Sequence, residues 1–293
     1  MTTITQVAEK IQRLMTEVAD RLRRETGFIQ RERRLSGGQF AQTIVFGWMG
    51  NPAASLKEMS QLAAYNQVVI SRQGLDQRVT EQAAHFMQAV LEATMEEMVQ
   101  GPRVESKVFE AFSGVYVLDS TCLGLPPCLH DHWPGCGGSA GETACLKVSV
   151  LWEMLRGGLE AIERLPGKTH DQHARAAQTS LPRRSVRMAD LGYFKLKGLA
   201  RMDREGTSWI SKYKTGTVVF VEGQRIDVLA YLEAAVQSVV DCPVQIGLRL
   251  RLPARLVAVR VSQATLERRQ ADLAEWERKK QCRVSAQTWA LLA

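Results

Sequence analysis

Val115-Tyr116-Val117-Leu118-Asp119-Ser120-Thr121 and Ser185-Val186-Arg187-Met188-Ala189-Asp190-Leu191-Gly192-Tyr193-Phe194 are the two stretches on which the fold turns. Each is a short β-prone run ending in an aspartate. The second passes through glycine into a helical repeat of Phe194, Leu196, Leu199 and Met202. A carboxylate at the end of a buried strand is held by the strand, while the following loop admits solvent or substrate. A turn-starting aspartate accounts for Asp-Ser-Thr equally well, so Asp119 alone decides nothing. Two strand-end carboxylates can share a divalent cation, because Mg²⁺ prefers oxygen ligands and usually takes one or two carboxylates plus substrate phosphates. Two such ions about 4 Å apart would activate a nucleophile and stabilise the leaving oxygen in phosphoryl transfer.

Working outward, residues 144–152 form another β-rich run, and 158–165 can pair back to it as a hairpin that closes at Pro166-Gly167. In a polar segment with His170, Asp171 and Gln172, the first two could orient substrate near a metal site, but a polar loop between strand and helix is the favoured reading. A further strand is expected over 208–213. Beyond Lys214 the runs 217–221, 224–229, 244–252 and 256–261 read as strands, followed by a charged helix over 263–280 and a last segment, 285–292. Arg249, Arg251, Arg255 and Arg260 alternate with apolar residues, which predicts an exposed strand face.

The amino-terminal part has a helical period. Ile4, Val7, Ile11, Leu14 and Val18 recur at three- and four-residue steps and predict one amphipathic helix packed through that stripe. Ser55 with Glu58 has capping-box spacing ahead of Leu56, Met59, Leu62 and Ala63. Helices are also expected from Ser71 and, carrying Ala83, Phe86, Val90 and Leu91, from Thr80. The stretch from Val69 to Arg78 fits either the turn and second helix of a helix-turn-helix, offering Arg72, Gln73, Gln77 and Arg78 to DNA, or a plain structural helix pair. Arg21, Arg23, Arg24, Arg31, Arg33 and Arg34 crowd around Gly27, where they suit either phosphate contact or a solvated face offset by Glu25 and Glu32.

The whole chain, 293 residues with 45% hydrophobic and 24% charged, has the balance of a folded protein of two or three modest domains and excludes disordered, collagenous and disulfide-framework classes. Its net charge of +7 favours a polyanionic partner. No apolar run reaches the roughly 18 to 20 residues of a membrane span, and the first residues lack a secretory layout, so a cytoplasmic protein with reduced thiols is expected. Cys122, Cys128, His130, His132, Cys136 and Cys145 include suitable zinc ligands, but Cys128-x-His130-x-His132-x3-Cys136 is not a paired-ligand spacing, and zinc is left open.

The blocks 116–121, 169–172 (Thr-His-Asp-Gln) and 189–194, with the earlier Ser71-Arg72-Gln73-Gly74-Leu75-Asp76-Gln77-Arg78, resemble in order those of the DDE transposases of the insertion-sequence-four family. The resemblance spans most of the chain. It implies a mixed α/β protein with an amino-terminal helical DNA-binding region (1–110), a ribonuclease-H-like catalytic core (111–213) and a β-rich insertion (214–293). It further implies metal-dependent cleavage and strand transfer at transposon ends with Mg²⁺ or Mn²⁺. Asp119 and Asp190 would be the first two acids of the triad and the metal ligands, with Gly192 and Tyr193 as the glycine-aromatic pair after the second. Arg31, Arg33, Arg34, Arg72, Gln73 and Arg78 are the DNA-binding candidates. DNA is the expected partner, with a homodimer on DNA among the arrangements allowed.

The sequence departs from the pattern at the third acid, which the family carries in a helix written Tyr-x2-Arg-x3-Glu-x6-Lys. None of Tyr65, Tyr116, Tyr193, Tyr213 or Tyr231 has arginine three residues later. Glu233, Glu267, Glu275 and Glu277 stand outside such a motif. The expectation is a chain that stops before its third catalytic acid and is inactive alone. A non-catalytic end-binding protein or transposase inhibitor is the alternative, and a metal-dependent nuclease of the same core a third reading. Strand cleavage, then strand joining, separates them.

Overall fold

The computed structural model describes residues 3–30, 35–97, 103–136 and 143–280. The chain forms two compact units, 1–105 together with 152–160, and 106–151 together with 161–293.

The first unit is helical. Helix α1 (Thr3–Arg13) continues through a π-turn (Leu14–Val18) into α2 (Ala19–Glu25). Leu14, Val18, Ala19 and Leu22 are buried, whereas Ile4, Val7 and Ile11 are exposed, so only part of the expected stripe packs. A π-turn has more residues per turn than an α-helix, so apolar phase does not carry across it. It also turns the Met15 carbonyl toward α3 (Gly37–Gly50), where the Gln42 side chain donates to it at 2.8 Å. Gly38 sits so close that a Cβ there would stand 2.6 Å from that oxygen. Ser36 and Gln39 cap α3 reciprocally, and Ser55 and Glu58 do the same for α4 (Leu56–Tyr65), the box expected from sequence. Ser71 caps α5 (Arg72–Asp76) and Thr80 caps α6 (Glu81–Glu96). Their inner faces bury Phe40, Met59, Leu75, Phe86 and Val90. Phe28 lies 4.7 and 5.0 Å, centroid to centroid, from Phe40 and Phe86. Truncating Phe86 to alanine would cost about 3–5 kcal/mol.

The second unit holds most of a five-stranded sheet of β1 (Val115–Leu125), β2 (Ala144–Glu153), β3 (Gly158–Pro166), β4 (Val186–Ala189) and β5 (Ser208–Ile210) in the order β3-β2-β1-β4-β5. β1, β4 and β5 run parallel. Parallel neighbours need a crossover, and α7 (Leu196–Glu205) supplies it between β4 and β5, ending at Gly206 with φ +79°. This mixed sheet, with its hairpin on one side of β1 and parallel strands on the other, is the ribonuclease-H-like arrangement.

A second, antiparallel sheet follows, β6 (Val219–Val221), β7 (Gln224–Ile226), β8 (Val239–Ile246) and β9 (Leu252–Val259), in the order β7-β6-β8-β9. It packs Val219, Val244, Ile246 and Leu252 against Leu199 of α7. Helix α8 (Val228–Glu233) precedes β8, and α9 (Gln263–Lys280) follows β9.

Several strand expectations change. The run 224–229 stops at Ile226, because Asp227 accepts the Ala230 N–H and starts α8. The run 244–252 is two strands and a turn, opened by Gly247 at φ +85°. Arg249 therefore lies in that turn, and Arg251, at φ +46°, lays its guanidinium 3.2 Å above the Phe220 ring, off any strand face. Arg255 does sit on β9, paired with Asp241, while Arg260 donates to the Ala235 carbonyl. β5 is shorter than 208–213, and β1 runs six residues past Asp119 rather than ending there. The segment 285–292 lies outside the described residues.

Candidate metal centre

The register of β1 and β4, Val115↔Val186 through Leu118↔Ala189, makes Asp119 and Asp190 the next pair across parallel neighbours. Such strands lie about 4.8 Å apart, which brings the two residues side by side at the end of the ladder. Both line one cleft with Val117, Met188, Ile210, Ser211 and Lys212. Asp119 Oδ1 accepts the N–H of Ser120 at 2.8 Å. Asp190 is largely exposed, with the Lys212 ammonium 3.9 Å from its Oδ1. Two solvent-facing carboxylates on adjacent strands are an oxygen donor set of the kind Mg²⁺ or Mn²⁺ accepts, so the residues present fit such an ion. Among the described residues no three His, Cys, Asp or Glu side chains converge as a metal site, so this pair supplies at most part of a protein cage.

Behind the pair lies a polar cluster, of which sequence reading singles out Asp171 and Tyr193 but misses Lys147 and Ser149. Lys147, on an inward position of β2, is buried and reaches Asp171 Oδ1 at 2.8 Å and the Thr169 carbonyl at 2.6 Å. Burial pulls its ammonium down, but the hydrogen bond to Asp171 and that carboxylate's charge, aided by Cys122 and Cys136, outweigh this and leave it above its ordinary value. Ser120 Oγ donates to the same Asp171 oxygen at 3.0 Å. Tyr193 is buried with its hydroxyl 3.3 Å from Ser149 Oγ. Burial pushes its phenol above the ordinary range, against the hydrogen bonds of Ser149 and Ser120 and with the charges of Asp171 and Asp119. The signal available in sequence was parity: Cys145, Lys147, Ser149 and Leu151 alternate onto the buried face of β2, and a lysine there needs a partner.

The DNA-binding candidates are dispersed. Arg31, Arg33 and Arg34 lie outside the described residues. Arg72 and Gln73 are exposed at the start of α5. Arg78 instead donates to the Gly74 carbonyl at 2.7 Å, closing its own helix. The helix after the turn has five residues, about 7.5 Å of rise, so it offers a groove little more than its first turn. Arg23 is buried and donates to the Ile29 carbonyl, which makes it a structural member of the arginine group. In the cysteine-histidine loop, Cys136 donates to the Gly167 carbonyl and Cys145 is buried.

No protein-family model matches the chain. It is 27% identical over 298 residues to the transposase of insertion sequence IS231F from Bacillus thuringiensis subsp. israelensis, covering 93% of this chain and 62% of that protein. It is 28% identical over 214 residues to the IS231D transposase of Bacillus thuringiensis subsp. finitimus, covering 71% of this chain and 44% of the relative. Against the IS1151 transposase of Clostridium perfringens it is 25% identical over 275 residues, with coverage of 85% and 57%. The chain thus spans about half to three fifths of the length of these relatives. A solved piggyBac transposase synaptic complex with hairpin DNA aligns with 96% of this chain and 69% of its own at a TM-score of 0.42 and 9% identity. No described helix is long and apolar enough to cross a membrane. By sequence, the chain is similar to the insertion-sequence transposases of the IS231 and IS1151 kind.

Proposed function

We propose that this chain carries the DNA-binding part and two of the three catalytic acids of a DDE-type DNA transposase, acting in the cytoplasm on transposon ends and target DNA. The observation that carries the reading is the register that sets Asp119 beside Asp190 at the open end of the parallel ladder. Those two carboxylates would hold Mg²⁺ or Mn²⁺, which supplies activation of the attacking oxygen and stabilisation of the leaving one in phosphoryl transfer. Lys212, at the lip of the cleft, suits a DNA phosphate. Arg72 and Gln73 from the described residues, with Arg31, Arg33, Arg34 and Arg78 as further candidates, give the helical unit its contacts to DNA. Two copies on end DNA are expected, and sedimentation of the complex reads that number.

Residues 1–293 contain no Tyr-x2-Arg-x3-Glu-x6-Lys block, so this stretch by itself offers two of the three acids. Positioning by the full set of acids is what makes metal catalysis fast, and each ~1.4 kcal/mol of lost stabilisation costs a factor of ten. The test is to incubate this chain, and a chain extended through such a block, with Mg²⁺ or Mn²⁺ and DNA bearing transposon ends. Binding by both and cleavage by the extended chain alone are expected, with Asp119→Asn and Asp190→Asn each abolishing cleavage and sparing binding. Cleavage at the unsubstituted rate by either variant would refute its role as a metal ligand.

A further inference from the structure

The β1–β4 ladder ends at Leu118 and Ala189, one residue before both acids. β4 then turns away into a 3₁₀ turn over Leu191–Tyr193, so strand pairing does not by itself fix the two carboxylates relative to each other. A different group bridges the two segments. Asp171 Oδ1 accepts from Ser120 Oγ, on the residue after Asp119. Its Oδ2 lies against Gly192, two residues after Asp190, so closely that a Cβ at that position would fall well inside van der Waals contact. Lys147 holds the same carboxylate from below, and Ser149, two residues along on the same face of β2, meets the Tyr193 hydroxyl.

Resting on the reading of the acid pair as a metal holder, we infer that Asp171, anchored by Lys147, is a positioning residue that ties the Asp119 and Asp190 segments together, so that both carboxylates could hold one ion. Lys147 and Ser149 act as adjacent posts on β2, one steadying the Asp119 segment through Asp171 and Ser120, the other steadying the Asp190 segment through Tyr193. The glycine at 192 is then explained by packing, since any side chain there would push the Asp171 carboxylate away from its post. Groups that orient metal ligands from behind typically change affinity by about 10- to 100-fold when lost, and the same scale applies here.

The experiment is Mn²⁺ binding to the full 293-residue chain, followed by the electron paramagnetic resonance of free ion, with DNA affinity and the metal-free unfolding midpoint measured alongside. Asp119→Asn should abolish the site. Asp171→Ala and Gly192→Ala should each weaken Mn²⁺ by about tenfold or more. The decisive variant is the double substitution, which should be no weaker than Asp171→Ala alone, because the clash at residue 192 needs the carboxylate. If Asp171→Ala does not fold, Asp171→Asn with Lys147→Met keeps an acceptor for Ser120 without an unpaired charge, and should hold Mn²⁺ within a few-fold of the unsubstituted chain. Additive losses in the double substitution, or unchanged Mn²⁺ affinity in Asp171→Ala while Asp119→Asn has lost it, would overturn the inference alone. Unchanged affinity in Asp119→Asn would overturn the metal-holder reading with it.

Discussion

Replacing Lys147 by methionine removes a buried ammonium while nearly keeping its volume, and leaves Asp171 with its charge uncompensated. The two charged atoms stand 2.8 Å apart, with the side chains 10% and 25% exposed. At an effective dielectric constant of about 20 their attraction is roughly 6 kcal/mol, much of it cancelled by the cost of desolvating both ions. Removing one partner of a well-buried pair costs about 3–5 kcal/mol, and the partial exposure of Asp171 lowers the expectation for Lys147→Met to about 2–4 kcal/mol. Adding Asp171→Asn removes the stranded charge, so the double variant should recover about 1–3 kcal/mol of that loss. The pair also sets a pH dependence. Because folding raises Lys147 above its ordinary 10.5, its contribution is complete below that value and is lost as pH climbs through the raised one. Lys147→Met should flatten this alkaline limb. Hydrogen exchange at the β2 amides, followed in urea and from neutral pH to above 10.5, reads the second unit separately from the helical one. A double variant no more stable than Lys147→Met, or an alkaline limb unchanged by the substitution, would refute the reasoning.

Gly38→Ala drives a Cβ against the fixed Met15 carbonyl, so the usual helix gain of alanine over glycine should be outweighed and the urea midpoint of the helical unit should fall by the equivalent of about 1–3 kcal/mol. Arg72→Ala should reduce the slope of log K against log salt for DNA binding by about 0.9, while Gln73→Ala leaves the slope unchanged. An unaltered slope for Arg72→Ala removes it from the phosphate contacts. Lys212→Gln breaks an exposed pair with Asp190 and should change stability by less than about 1 kcal/mol, yet tighten Mn²⁺ several-fold by removing a competing cation.

The parts of this architecture with strong local chemistry were legible in the residues. Ser55 with Glu58, Ser71 and Thr80 announce helix starts because a side-chain oxygen must meet a free N–H there, and each does. The hairpin over 144–166 and helix 263–280 follow from period and turn residues in the same way. The π-turn at 14–18 was not legible, since a 3.6-residue stripe assumes a uniform helix. Nor was the turn at 247–251, because leucine and arginine in alternation look the same in a strand and in a turn whose arginine stacks on a ring. At the candidate site the two aspartates stood out, each at the end of an apolar run. Asp171 was open to two readings, substrate orientation or a plain loop, because its contacts with Lys147 and Ser120 come from strands 24 and 51 residues away in sequence.

The length of β1 has a consequence of its own. It outlasts β4, so among the described residues the side of Asp119–Leu125 that would face β4 has no strand partner in that register. From Asp119 onward β1 is a one-sided edge, and edges offer backbone donors and acceptors to whatever comes alongside. The first acid therefore sits at a seam, where the pairing of β1 with β4 stops. Motion of the upper half can reach it without disturbing Val115–Leu118, and a protection map of β1 should step down sharply at this residue instead of fading toward the strand's tip.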